Sequence, residues 1–222
     1  MILKRRLILS ALALPLLAGV ASADEADDKV SFFRAAQVDD ERKVHALLAR
    51  GLDPNIHDPE RGETGLIVAM RYDSNRVFKE LLNHPKVKLE EQSDNGSTAL
   101  MMAAFKHNKA AVQALLAAGA QVNRPGWTAL HFAAAAGDVA IMSLLLERHA
   151  YIDAESPSKM TPLMLAAREG MEDAVKLLLE QGADASLKDA GFHIDAVEFA
   201  TRAEKPWIAK TIRAHLAAKL MR

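Results

Sequence analysis

A three-part pattern recurs along most of this chain of 222 residues. Each clear copy starts with Thr, has Ala-Ala or Ala-Met five and six positions later, and ends with a Leu pair. The clear copies start at Thr64, Thr98, Thr128 and Thr161, and Val30 and Asp195 hold the same slot in an earlier and a later copy. Successive starts are 34, 34, 30, 33 and 34 residues apart. This regular spacing predicts a solenoid, in which stacked units bury apolar faces that no single unit could bury alone.

The residue types of each copy predict two short helices. The Thr hydroxyl can accept a hydrogen bond from the first helical turn, and Pro162 suits the first helical position because no donor is needed there. The small residues allow close approach of the next unit, and the Leu pair fills the space between layers. Turn-forming residues at 58–62, 93–96, 123–126 and 155–158 predict tips that project to one side. The copy that begins near 97 is three residues short, which predicts a short third tip and a notch.

These features resemble the ankyrin repeat, whose period is about 33 residues and whose signature is Thr-Pro-Leu-His-x-Ala. The most similar copy is Thr-Ala-Leu-His-Phe-Ala-Ala at 128–134, followed by Gly137. The resemblance implies an all-α helix-turn-helix solenoid of about six repeats, spanning approximately 30–62, 63–96, 97–126, 127–159, 160–193 and 194–222. Four copies depart from it between their two helices, where Gly is replaced by Asp39, Asp73, His107 and Glu204.

Residues 1–23 have the layout of a secretory signal peptide. Three basic residues at 4–6 precede an apolar run, and Ala21-Ser22-Ala23 forms a small-x-small cleavage site. The run is too short to favour an uncleaved membrane anchor, although that alternative stays open. The Arg5-Arg6 pair is a weak indication of the twin-arginine route, and the general secretory route fits better. We therefore expect a periplasmic protein whose mature chain covers 24–222.

Composition argues against several functions. The net charge is −1 and only 5% of residues are aromatic, so nucleic-acid binding is not favoured. The chain has no Cys, which removes disulfides and thiolate metal sites. Neither a phosphate-binding loop nor a paired His metal motif occurs, so we expect no cofactor, no metal and no enzymatic activity. We expect His131, the His of the repeat signature, to make structural hydrogen bonds between loop and helix.

The resemblance implies that a protein partner binds in a concave groove lined by the tips and the first helices. The positions that this transfers are Arg61, Glu63, Arg71, Tyr72, Asn95, Ser97, Phe105, Lys106, Arg124, Trp127, Ser158, Met160, Arg168 and Glu169. Large aromatic residues flanked by Arg are common at the energetic centre of an interface. For Trp127, contact with the partner and simple packing on a neighbouring tip remain equally open.

The favoured function is a monomeric periplasmic scaffold that binds an envelope protein. One alternative is an immunity or inhibitor protein that acts against a toxin. An enzyme or small-ligand protein that uses His57, Asp58 or His193 at the tips is an alternative of a different class. The last unit reads as a polar cap, because Arg213 replaces an inner Leu. A small basic docking site at this end stays possible as well.

Overall fold

The computed structural model describes residues 14–220, and side chains are described over 26–219. The predicted signal peptide at 1–23 falls largely outside the described residues, so its removal stays a prediction. Within residues 14–220, no helix has both the length and the hydrophobicity that crossing a membrane requires.

All secondary-structure elements in the described part of the chain are helices, and its only β-type pairing is an isolated bridge between His57 and Thr64. The predicted all-α fold is therefore confirmed. In chain order the helices are α1 (Leu14–Gln37), α2 (Glu41–Ala49), α3 (Gly65–Arg71), α4 (Asn75–Leu82), α5 (Ala99–Phe105), α6 (Lys109–Ala117), α7 (Ala129–Ala136), α8 (Val139–Glu147), α9 (Pro162–Glu169), α10 (Glu172–Glu180), α11 (Ala196–Arg202) and α12 (Pro206–Leu220).

Successive helices pair, and the pairs stack into two layers. The first helices contact one another in the order α1, α3, α5, α7, α9 and α11. In the second layer, α2 contacts α4, α6 contacts α8, and α10 contacts both α8 and α12. One continuous hydrophobic core runs between the layers along the array. The small pairs and the Leu pairs of the repeat supply much of this core, as their spacing predicts.

The first helix of most units begins at its predicted cap. The hydroxyls of Thr64, Thr98 and Thr161 accept from the backbone N–H three residues later at 3.3–3.4 Å. The carboxylate of Asp195 makes the same contact at 3.0 Å. The first unit differs, because α1 begins well before Val30 and passes through it without a cap. Its extra turns lie beside the first tip.

The tips are closed by backbone hydrogen bonds across their bases. The N–H of Asp58 donates to the carbonyl of Glu63 at 2.9 Å, and residues 93 and 97, 156 and 160, and 189 and 194 are joined in the same way at 3.0–3.1 Å. Among the described contacts, no such bond closes 123–126. The third tip lacks the three residues that are missing from this copy of the repeat, and it is shorter, as the spacing predicts.

Candidate protein-binding groove

One wall of a groove at the start of the array is a stripe along α1. Its residues recur every three or four positions, which places them on one face of the helix. They are Ala26, Lys29, Val30, Phe33, Arg34 and Gln37. Phe33 is buried, whereas Val30 keeps 61% of its surface exposed. The wall is therefore apolar at its base and charged at its rim.

The opposite wall is the first tip, residues 57–63. Asp58 organises this tip, because its carboxylate accepts from the backbone N–H groups of Glu60, Arg61 and Glu63, each at 2.8 Å. These bonds occupy the carboxylate and satisfy donors that the turn would otherwise leave to water. The tip is a preorganised wall, and Asp58 is taken up by its own loop.

The floor is the end of α3, where Val68, Arg71 and Tyr72 line the groove. Arg71 donates to both carboxylate oxygens of Glu63, with its Nε at 2.9 Å from each and its Nη2 bonded to one of them. This bond raises the pKa of Arg71, partly offset by burial. A two-pronged Arg–carboxylate pair fixes both side chains and cancels their charges. Tyr72 remains 50% exposed.

We call the space bounded by these three elements the N-terminal groove. It is open to solvent and has a volume of about 550 Å³. It continues into a second, polar space of about 400 Å³, which we call the polar extension. The polar extension shares Glu60, Arg61, Glu63 and Arg71 with the groove and adds Asp94 and Asn95 from the second tip.

An aromatic cluster lies farther along the first helices. The ring of Phe105 meets Phe132 edge-on at 6.3 Å, and Trp127 meets Phe132 at 6.5 Å. Phe105 is 48% exposed, and Trp127 and Phe132 are half-buried. Edge-to-face pairing is a favoured arrangement of aromatic rings. The cluster is a partly exposed apolar surface beyond the groove.

His131 lies beneath this cluster and is completely buried. Its Nδ1 is 2.9 Å from the hydroxyl and 3.2 Å from the N–H of Thr128, and its Nε2 is 2.9 Å from the carbonyl of Met160. Burial lowers its pKa from 6.5 to about 4. A neutral ring that donates from Nε2 and accepts at Nδ1 satisfies all three contacts. The predicted structural role of His131 is confirmed, and the ring joins the fourth unit to the fifth.

The predicted binding residues fall into three groups. The exposed ones are Arg61, Tyr72, Asn95, Phe105, Ser158, Arg168 and Glu169. The half-buried ones are Arg71, Lys106, Arg124 and Trp127. The buried ones are Glu63, Ser97 and Met160, with 2%, 2% and 8% of their surface exposed. The expectation that the fold leaves all of these positions free is wrong for the third group.

Each of the three buried residues makes hydrogen bonds within the array. Glu63 is held by Arg71, as described above. Ser97 closes the second tip, where its N–H donates to the side chains of Ser93 and Asn95. Met160 accepts from His131 through its backbone carbonyl. Side-chain partners also occupy Lys106, whose Nζ lies 2.9 Å from a carboxylate oxygen of Asp73.

Trp127 packs within its own unit, against His131 at 5.2 Å and against Phe132. The ring therefore packs on α7 of its own unit, and contact of Trp127 with a partner stays a prediction. Phe132 was not among the predicted residues. In other units its slot is held by Val68, Met102 and Leu165, which the structure buries. The signal that would have found it is its ring, which is too large for a slot that elsewhere takes aliphatic side chains.

Two of the three tip residues proposed for an enzyme, His57 and Asp58, have local partners. Asp58 is occupied as described, and the Nε2 of His57 lies 3.6 Å from a carboxylate oxygen of Glu91. His193 is exposed and has a left-handed backbone, with φ of 54°. Within residues 26–219, no group of three or more His or acidic side chains is placed to hold a metal ion.

Comparison with known proteins agrees with this architecture. The family model described as ankyrin repeats in three copies matches residues 32–125 and 120–189. The chain belongs to the ankyrin repeat family. Its solved structural neighbours include the ankyrin repeat domain of human ASB11, with a TM-score of 0.71, 24% identity, and coverage of 83% of this chain and 82% of that one. At this identity, the likeness shows the shared ankyrin fold.

Curated relatives contain the same repeats within much longer chains. The ankyrin chain is 36% identical over 152 residues to SH3 and multiple ankyrin repeat domains protein 2 of Homo sapiens, covering 67% of this chain and 8% of the relative. It is 32% identical over 172 residues to Rabankyrin-5 of Homo sapiens, covering 74% and 14%. The chain thus spans a small part of these relatives. Ankyrin repeat proteins generally serve as scaffolds for protein–protein interaction, and most of them are not enzymes.

Proposed function

We propose that this ankyrin chain binds an envelope protein in the bacterial periplasm through the N-terminal groove and the neighbouring aromatic cluster. The observation that carries the proposal is the exposure of Tyr72 and Phe105, at 50% and 48%, on consecutive first helices. Large aromatic side chains lose much apolar surface to water when a partner covers them, and they dominate many interfaces. Tyr72 lies in a groove whose first tip is already ordered by hydrogen bonds, which lowers the entropic cost of binding.

Paired truncation tests this surface. The double variant Tyr72→Ala/Phe105→Ala removes two exposed rings without opening the buried core. The tagged chain would be expressed in its native host, crosslinked and recovered from the periplasmic fraction. Wild-type chain is expected to retain a specific partner that the double variant loses by at least about tenfold, since each lost ring is worth about 1 kcal/mol or more.

The matched control is Tyr151→Ala/Phe192→Ala. These rings are 69% exposed and line neither the N-terminal groove nor the polar extension. This control should capture the partner as wild type does, and circular dichroism should show equal helix content in all three proteins. Equal capture by the groove variant and by wild type would reject the surface.

The location is tested separately. The arrangement of residues 1–23 supports export and cleavage after Ala23. Fractionation of the native host followed by amino-terminal sequencing should find a periplasmic chain that begins at Asp24. A chain that keeps residues 1–23 and stays in the cytosolic fraction would rule out this part of the proposal.

A further inference from the structure

The N-terminal groove is an addition to the repeat and is not required for stacking. The other first helices begin at the Thr or Asp slot, whereas α1 starts earlier and carries Ala26 and Lys29 along the groove. The slot residue itself is Val30, with 61% exposure. A terminal unit of a solenoid is expected to present polar residues to water. Val30, Phe33 and Tyr72 all line the groove, which gives it a shared apolar surface that a partner can cover.

The lining of this groove has a small positive excess, because four Lys and Arg side chains line it against three Asp and Glu side chains. Glu63 is neutralised by Arg71, and Asp58 is occupied by backbone N–H groups. Arg34 and Arg61 also line the groove and are exposed. Among the described residues, neither guanidinium has a hydrogen-bond or ion-pair partner, and Glu60 is the one lining carboxylate in the same condition. Asp58 keeps its negative charge although its oxygens are occupied, so the lining has an excess of one positive charge. This excess and the two exposed guanidinium groups favour an acidic ligand.

The shape of the groove favours a chain that passes through it. One end opens into the polar extension, so the N-terminal groove is not a closed pocket for a chain terminus. Its walls are a helix and a tip held by three hydrogen bonds from backbone N–H groups to one carboxylate. An extended segment between two such walls can direct successive side chains alternately to the floor and to the rim.

We infer that the N-terminal groove binds an internal, extended peptide segment of the protein partner in which an aromatic side chain lies next to Asp or Glu. The ring packs among Val30, Phe33 and Tyr72. The adjacent carboxylate meets Arg34 and Arg61 at the rim. This inference rests on the proposed function and specifies what one end of the binding surface recognises.

Short peptides test the inference directly. The probes are fluorescein-labelled pentapeptides with amidated ends, Gly-Asp-Phe-Asp-Ser, Gly-Asn-Phe-Asn-Ser and Gly-Asp-Ala-Asp-Ser, titrated into the purified chain and followed by anisotropy. The acidic Phe peptide should bind about fivefold more tightly than its Asn counterpart, the range of an exposed ion pair. It should bind about tenfold more tightly than the Ala peptide, because the ring buries apolar surface.

Variants locate the effect. Arg34→Gln/Arg61→Gln should remove the preference for Asp over Asn while leaving the affinity for the Asn peptide unchanged. Tyr72→Ala should weaken both Phe peptides. The matched control is Arg42→Gln/Arg148→Gln, which removes two exposed Arg side chains that do not line the groove. This control should keep the preference.

Several results would overturn the inference. They are the absence of measurable binding by any peptide, equal binding of the Asp and Asn peptides, and a preference that survives the Arg34→Gln/Arg61→Gln change. Tighter binding of Gly-Asn-Phe with a free terminal carboxylate than of the amidated acidic peptide would show a site for chain ends. If a partner is still lost from Tyr72→Ala/Phe105→Ala in any of these cases, the proposed function stands and only the peptide chemistry fails.

Discussion

The first three units and the next two build the same left-handed turn between their helices with different residues. Asp39, Asp73 and His107 adopt φ of 57°, 56° and 57°, whereas Gly137 and Gly170 adopt 75° and 79°. Side chains other than Gly are strained in this conformation, although Asp and His tolerate it better than most. The strained residues therefore need a compensating role.

That role is a contact with the following unit. The carboxylate of Asp39 accepts from the N–H groups of Arg76 and Val77 at 2.9 and 3.0 Å, and so caps α4, whose own cap residue Ser74 makes no side-chain cap bond. These bonds outweigh burial and lower the pKa of Asp39. Asp73 pairs with Lys106, and the Nδ1 of His107 lies 3.0 Å from a carboxylate oxygen of Asp138.

In the fourth and fifth units the left-handed turn is made by Gly, and side chains of the next unit pack directly against its backbone. A Cβ at Gly137 would come within 2.8 Å of the Met171 sulfur, and one at Gly170 within 3.0 Å of the Lys205 side chain. The buried ring of His131 adds a further link from the fourth unit to the fifth. The same left-handed turn thus supports two kinds of contact with the next unit. In the first three units the contacts are exposed and polar, and in the fourth and fifth units they are close and partly buried.

Acid should first destabilise the packing between the fourth and fifth units, where His131 is buried. The pKa of His131 is about 4 in the folded chain against 6.5 for an unperturbed His. Between pH 6.5 and 4, His131 is therefore protonated in the unfolded chain and neutral in the folded one. Its contribution to the free energy of unfolding is full above pH 6.5 and falls by about 3 kcal/mol as the pH drops to 4. Urea unfolding at pH 7 and pH 4 measures the loss.

The matched variant for this experiment is His131→Met, because Met101 and Met164 hold the same slot in the flanking units. It should be less stable than wild type at pH 7, since the bond to Met160 is lost, and its stability should vary less between pH 7 and 4. An undiminished acid dependence in the Met variant would assign the effect to other groups.

Adding a side chain at Gly137 should cost less than full protonation of His131 but still a clear amount. Gly137→Ala forces Ala into the left-handed region and displaces the side chain of Met171, for an expected loss of about 2 kcal/mol. Thermal or urea unfolding measures it. Gly96→Ala is the control for backbone strain alone, because its φ of 80° is close to that of Gly137 and a Cβ there would meet nothing closer than 3.7 Å. Equal losses at the two positions would mean that packing by Met171 contributes nothing.

The smallest effects should separate two turns within the first half. Asp39→Gly relieves the backbone but removes the cap of α4, so a net loss of about 1 kcal/mol is expected. Asp73→Gly gives up only the exposed ion pair with Lys106 and should change stability by no more than about 0.5 kcal/mol, in either direction. Urea unfolding of both variants decides the matter. Equal responses would show that Asp39 does not act as a cap across units.

Local patterns predicted much of this fold. The Thr slots and the turns in which Gly is replaced by Asp39, Asp73, His107 and Glu204 follow from short-range rules of capping and backbone geometry. The structural bonds of His131 were expected from the resemblance to the ankyrin repeat, and one of them reaches Met160 in the next unit. Binding positions were transferred by repeat register, and the register does not report whether a neighbour occupies a side chain. This is why Glu63, Ser97 and Met160 were expected on the surface although the fold buries them.

The sequence by itself determined the repeating helical frame, because a period near 33 residues and the pattern within each copy specify units that must stack. Only the tertiary structure decided which side chains remain free on that frame. The distance from Glu63 to Arg71, the reach of Asp39 into the next unit, and the early start of α1 beside the first tip each depend on how elements meet in space. Burial and pairing are properties of those contacts, so the chemistry of the groove emerges only after the units are stacked.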